Sequence, residues 1–228
     1  MCFISTQRYL PMKKFIFKEQ PFDRGIFIQG ISQAGQKITG NYKPATAEEI
    51  NKFETELNCS LPDDYKNFLL SINGGTIDPA KIDKTSAAID IKQTVNGNDW
   101  ASEPVITVSF LYTLDESTLL ERDKNENTRR SLTRSFHLPV VNSRYYDDYA
   151  NTEEAMGLAN KNLVIIASSD DHYIALSCDD DLYGKVLAID SGVYPEDYPP
   201  GVAKTMANVA ILADSFDNFL QSIFYYQR

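Results

Sequence analysis

The stretch Thr46–Gly75, TAEEINKFETELNCSLPDDYKNFLLSINGG, reads as two short helices folded back on each other. Thr46 and Glu49 form a capping box, in which each side chain accepts a hydrogen bond from the other residue's backbone N–H, so the first helix starts there. Ile50, Phe53 and Leu57 then recur at helical spacing among Glu48, Lys52, Glu54 and Glu56, a single apolar stripe that must be buried. Pro62 suits the first position of a second helix, because its fixed φ fits and its missing N–H has no intrahelical partner there. Asp63 and Asp64 follow in the turn where a helix favours carboxylates, and Tyr65, Phe68, Leu69 and Ile72 make the buried face. Gly74 and Gly75 are expected to end this helix, since glycine enters the left-handed region without a Cβ penalty. None of these roles is catalytic.

The chain has 228 residues, 43% of them hydrophobic and 11% aromatic, which is the composition of a folded domain. Its formal charge of −10 opposes a grip on phosphate backbones, so a nucleic-acid partner is not expected, whereas a basic polypeptide is compatible. Cys2, Cys59 and Cys178 are odd in number and have no metal-ligand spacing. They indicate neither a disulfide framework nor a zinc site, and a reducing, cytoplasmic location is expected. No apolar run approaches the roughly 20 residues that span a bilayer, so no membrane association is expected. The N-terminus lacks the pattern of a secretory signal, and Met12-Lys13-Lys14 reads as a natural beginning with residues 1–11 as an upstream extension.

Taken in order, Phe15-Ile16-Phe17 and Ile26-Phe27-Ile28 alternate with glycines, as an arm or edge hairpin over residues 1–44 would. A single main domain is expected over 45–228. Ala88 to Ile91 alternates apolar and polar residues, Asn96-Gly97 supplies a turn, Trp100 reads as a core or rim plug, and Val105 to Tyr112 reads as one central strand. A helix is expected to open at Ser117 with Leu119 and Leu120 inward, and Arg129, Arg130 and Arg134 form a basic patch expected to be neutralised by nearby carboxylates. These lie in an insertion expected around residues 113–160. Its second part, NSRYYDDYANTEEAMGLAN from Asn142 to Asn160, is polar and tyrosine-rich and reads as a long surface excursion. Long loops are commonly functional, so Tyr145 and Tyr146 become candidates for recognition.

The last third is regular. Leu163 to Ala167, Tyr173 to Ser177 and Lys185 to Ile189 read as an antiparallel meander joined by the acidic turns SSDDH and CDDDLYG. The prolines of DSGVYPEDYPPG, from Asp190, cannot continue a strand. From Ala213 to Arg228 a closing helix is expected, capped by Asp214 or Ser215, with Phe216, Phe219, Leu220 and Ile223 inward.

Catalytic and metal chemistry find little support. His137 and His172 are the only histidines, and neither lies in a metalloprotease motif or beside a nucleophile elbow. His172 reads as a solvated turn residue. Acidic neighbours of Cys178 would raise its thiol pKa, the reverse of what a reactive thiolate needs. Asp179, Asp181, Gly184, Val186 and Asp190 fall on calcium-loop positions, but Tyr183 replaces a ligand, Asp190 stands where the bidentate Glu belongs, and the flanks read as strands where the motif needs helices. A tight acidic hairpin is expected there, with no metal and no cofactor.

Two stretches together resemble one family: EEINKFETELNCSLPDDYKNFLLSINGG, and LVIIASSDDHYIALSCDDDLYGKVLAIDS leading to LADSFDNFLQSI. The first is similar to a helix, Leu-Pro, aromatic and Gly-Gly signature, the second to a strand, acidic turn, strand, Gly-x-Val strand and Ser-Phe-x-x-Phe-Leu helix. This chain resembles the SUKH superfamily, which includes the fungal Smi/Knr regulators of cell-wall assembly, over residues 45–76 and 160–224. The resemblance implies an α+β fold, a bent mostly antiparallel sheet with helices packed on one side. It also implies a non-enzymatic role. Bacterial members are mostly immunity proteins that neutralise polymorphic toxins, nucleases or deaminases among them, whereas fungal members are regulatory interaction proteins. No catalytic residue transfers, because Leu61, Pro62, Tyr65, Gly75, Ser215 and Phe216 read as structural. The partner expected is a toxin domain from a neighbouring gene, docked on an acidic face of Asp170, Asp171, Tyr173, Asp179, Asp180 and Asp181 with Tyr145 and Tyr146. Such carboxylates would steer association with a basic cleft.

Overall fold

The computed structural model describes residues 42–76, 85–95, 105–108, 110–116, 137–146, 162–169, 172–178, 180–190 and 208–227. Residues 1–41, the Asn96-Gly97 turn, Trp100, the helix expected from Ser117, the arginines at 129, 130 and 134, and the segments 147–161 and 191–207 lie outside them.

The helix pair forms from the residues that specify it. Helix α1 is Ala47–Leu57, with Thr46 as N-cap and both halves of the capping box made. Helix α2 is Asp63–Ser71, with Pro62 as the extended N-cap at φ −58 and ψ 145, one position earlier than expected. At its end Asn73, not glycine, takes the left-handed position at φ 58, and its N–H donates to the Phe68 carbonyl at 3.1 Å. The Asn73 amide is buried and used at both ends, donating to the Lys43 carbonyl at 2.7 Å and accepting from the Leu114 N–H at 2.9 Å. Gly74 has a separate task. A Cβ there would stand 2.7 Å from the Tyr112 carbonyl oxygen, so only glycine lets the chain pass so close.

Ten strands follow in the described residues: β1 Gly75–Thr76, β2 Thr85–Asp90, β3 Gln93–Thr94, β4 Val105–Thr107, β5 Phe110–Leu111, β6 Leu163–Ser168, β7 His172–Ser177, β8 Val186–Asp190, β9 Val209–Ala213 and β10 Phe224–Gln227. They build one sheet in the order β1-β5-β6-β7-β8-β9-β3 and a second in the order β10-β2-β4. Each of these strand pairings is antiparallel. The β6-β7-β8 meander is the one read from the sequence.

Val105 to Tyr112 is not one strand. Its first half pairs with β2 in the smaller sheet and its second half with β1 and β6 in the larger, so the chain changes sheet between Val108 and Phe110. The segment β2–β3 does the same, since Gln93 and Thr94 pair with β9. These two bent segments lie side by side in the smaller sheet and at opposite ends of the β5-to-β3 run in the larger one. The path of hydrogen-bonded neighbours therefore returns to its start. Such a closed ladder leaves few open edges, and it fits the burial of β6 and β9 on both faces, Leu163 to Ala167 and Val209 to Ala213 being at most 3% exposed.

Two further helices cover this bent sheet. Helix α3, Leu138–Arg144, enters the stretch read as a surface excursion only with its last residues, from Asn142, and it packs on β6. Its Asn142 is fully buried. The side-chain amide donates to the Ile165 carbonyl at 3.0 Å and accepts from the Ile165 N–H at 2.7 Å, at the point where a register shift interrupts the β6–β7 ladder. Asn142 thus supplies the rung that no strand provides. The chain leaves at Thr113 and returns beside it, with the Leu138 N–H donating to the Thr113 carbonyl at 2.8 Å.

Helix α4 is Phe216–Ser222, with the Ser215 hydroxyl accepting from the Asn218 N–H. The expected closing helix is therefore shorter than the sequence suggests. Ala213 belongs to β9, and Ile223 turns the chain extended at φ −68 and ψ 134 so that Phe224–Gln227 pairs with β2. The Phe216 ring meets Tyr65 at 4.8 Å and Phe68 at 4.9 Å, joining α4 to α2. Each such pair adds about 0.5–1.5 kcal/mol beyond the area it buries.

Replacing Asn142 by leucine leaves the Ile165 N–H and carbonyl unpaired in the interior, and a loss of about 2–4 kcal/mol is expected in urea unfolding, with Asn142→Asp no better because it cannot donate. The capping box adds a pH signature. Glu49 is held below the ordinary carboxyl value by the Thr46 N–H and hydroxyl. Its contribution is therefore complete above the unfolded value and disappears as pH falls through the lower folded one. Glu49→Ala is expected to cost about 1 kcal/mol at pH 7 and progressively less in acid, read from paired melts across pH.

Candidate docking surface

The turn between β7 and β8 is built from CDDDLYGK. Asp180–Leu182 makes a single 3-10 turn, Gly184 adopts φ 80, and the ends are tied by Gly184 N–H to the Ser177 carbonyl and Ser177 N–H to the Lys185 carbonyl, both 2.9 Å. Gly184 rests on Pro62, whose ring carbons lie 3.8 Å from where a Cβ would stand. On this fixed frame Asp181 is exposed, and Tyr183 at 48% is one of the most exposed large side chains among the described residues. Tyr183 is a surface residue that the sequence reading used only as an argument against calcium. Its place directly before the turn glycine Gly184, after a run of acids, is the signal that could have marked it. Beside this turn, Lys185 and Lys92 converge on Asp214 at 3.4 and 3.0 Å, and hydrogen bonds from Lys92 and then Lys185 hold that carboxyl below its usual range.

Ser169 and His172 stand at one end of β7, and Cys178 and Asp181 at the other. A strand of this length spans roughly 17–20 Å. Asp170, Asp171 and Asp179 lie outside the described residues, as does the side chain of Asp180. The same spacing bears on the calcium pattern. Asp190 closes β8, a strand's length from Asp181, and among the described residues no three His, Cys, Asp or Glu side chains gather as ligands would. His172 is the first residue of β7, half-buried, and its carbonyl accepts from the Ser169 N–H.

The structure does bring Tyr145, Tyr146 and Tyr173 together, but as packing. Tyr145 is 2% exposed, and its ring meets Tyr146 at 5.4 Å and Tyr173 at 5.2 Å, both edge to face. The Tyr146 hydroxyl donates to the Leu163 carbonyl at 2.5 Å, and burial pushes its pKa up. Tyr173 is half-buried. Tyr145 and Tyr146 therefore do not belong to a recognition loop; they seat the end of α3 on the sheet, because an aromatic body with one polar tip is suited to a half-polar interior.

A family model described as SMI1 / KNR4 family (SUKH-1) matches residues 44–222, from the strand of chain entering α1 to the last turn of α4. The chain belongs to the SUKH-1 family. No curated protein matches it. Among solved structures it is similar to a crystal structure of a protein from Pseudomonas syringae pv. tomato, at 14% identity and a TM-score of 0.34, over 79% of this chain and 92% of that one. The two motif stretches of this SUKH-1 chain meet in space at α2 and α4, and the fold is α+β with a bent antiparallel sheet. No helix among its described residues is long and apolar enough to cross a membrane.

Packing and surface roles separate by mutation. Tyr145→Ala is expected to cost about 3–5 kcal/mol in thermal or urea unfolding. Asp181→Ala and Tyr183→Ala are expected to stay within about 0.5 kcal/mol of the parent in the same assay.

Proposed function

We propose that this SUKH-1 chain is a non-enzymatic immunity protein that binds a toxin polypeptide in the cytoplasm and neutralises it. The observation that carries the reading is the family match over residues 44–222. Two features support it. The chain carries a formal charge of −10, which favours encounter with a basic partner such as a nuclease or deaminase domain. The β7–β8 turn holds an exposed carboxylate and an exposed tyrosine on a backbone tied at both ends, the combination of charge steering and aromatic anchor found in protein interfaces. The partner is a polypeptide encoded beside this chain, and the contact uses the carboxylates of the two β7 turns with Tyr183 and Tyr173 at their margins.

The test is co-expression with the product of the neighbouring gene, followed by binding kinetics on the purified pair. Rescue of growth by the parent chain is expected. Alanine at Asp180, Asp181 and Tyr183 together should weaken binding at least about tenfold, and raised ionic strength should slow association. Alanine at Asp170 and Asp171 tests the other end of β7 separately. If neither set changes affinity or rescue, the acidic turns are not the interface, and if no neighbouring product is neutralised the immunity reading fails.

A further inference from the structure

Two cysteines that the sequence leaves unconnected are neighbours in the fold. Cys59 lies in the connection between α1 and α2, just before Pro62, and Cys178 directly follows β7 and opens the turn whose Gly184 rests on Pro62, so the helix pair and the meander meet there. Both are half-buried, both pack against the core, and neither is in a disulfide. Their thiols are close enough to hydrogen-bond each other, with Glu54, Lys66 and Tyr146 near both. The backbone fixes the pair in place. Cys59 N–H donates to the Glu54 carbonyl at 3.1 Å, the Glu54 carboxylate accepts from the Leu61 N–H and from Lys66, both at 2.7 Å, and Cys178 N–H donates to the Asn162 carbonyl at 2.8 Å.

We infer that Cys59 and Cys178 form a reversible thiol–disulfide couple, which on oxidation staples the α1–α2 connection to the end of β7. The oxidant is a low-molecular-weight disulfide such as oxidised glutathione. Cys59 sulfur attacks one sulfur of that disulfide, a protein–glutathione bond forms, and one glutathione thiolate leaves. Cys178 sulfur then attacks the Cys59 sulfur, the protein disulfide forms, and the second glutathione leaves. Two protein thiols are oxidised by two electrons, one external disulfide is reduced, and the two thiol protons end on the two released glutathiones. Either cysteine can make the first attack, and the route written through Cys59 balances identically when begun at Cys178. The couple is independent of what the β7–β8 turn binds.

The experiment treats the full chain with oxidised glutathione and maps its peptides without reduction. One disulfide joining the Cys59 and Cys178 peptides is expected, and dithiothreitol should remove it. Closing a loop of about 120 residues between Cys59 and Cys178 should raise Tm on the order of 10 °C, a gain lost on reduction. Cys178→Ser should trap the mixed disulfide at Cys59, and Cys2→Ser should leave the bridge intact. Separate glutathione adducts on Cys59 and Cys178 with no bridge, a bridge to Cys2, or two thiols that stay free overturn the proposal. Should a serine variant fail to fold, the peptide map and the paired melts of the unmodified sequence decide it alone.

Discussion

The carboxylate of Asp64 joins the first turns of two helices that are remote in sequence. One oxygen accepts from the Tyr65 N–H at 2.8 Å in α2 and the other from the Asp217 N–H at 3.1 Å in α4. A helix leaves its first N–H groups without internal partners, so a shared acceptor both caps and aligns the two. Beside it, Tyr65, Phe68, Phe216 and Phe219 bring their rings into contact and remove the same junction from water. Helix α4 is preceded by β9 in the larger sheet and followed by β10 in the smaller one. The junction therefore holds the corner at which the two sheets turn into each other, and the closed ladder rests on it.

This explains why the family likeness is legible in two separated stretches. The residues of Leu61 to Gly75 and of Ser215 to Leu220 carry local signals, a helix-starting proline, a capping serine and apolar spacing, and each signal acts within one turn of helix. What they meet in the folded chain confirms the same assignments. Elements whose partners are distant are harder to read. Val105 to Tyr112 is mostly apolar because it passes between two sheets, and that pattern looks the same as a single central strand. Phe224–Gln227 continues an apolar pattern out of α4, and only the pairing with β2 makes it extended.

Helix α3 shows a different limit. The stretch from Asn142 is polar in composition, yet Asn142 is polar because the interior needs a donor and an acceptor there, and Tyr145 and Tyr146 because their rings pack inward while one hydroxyl finds a carbonyl. A count of polar residues cannot distinguish side chains that face water from side chains that complete a backbone ladder. Asn73 and Asn208 repeat the device, Asn208 donating its side-chain amide to the Asp190 carbonyl at 2.8 Å. In each case a short amide replaces a missing rung with little volume.

The acidic turns follow from topology. Consecutive turns of an antiparallel meander stand at opposite ends of the strand between them, so Ser169 and Cys178, on either side of His172 to Ser177, are a strand's length apart. The surface is then a matter of which end is rigid and what accompanies the charge. At the β8 end the backbone hydrogen bonds of Ser177, Gly184 and Lys185 fix the turn, Pro62 supports it from α2, and Tyr183 stands beside Asp181. Charge there meets an aromatic side chain on an ordered frame, and an interface draws specificity from that fixed combination more than from net charge, which acts at longer range and without selecting a site.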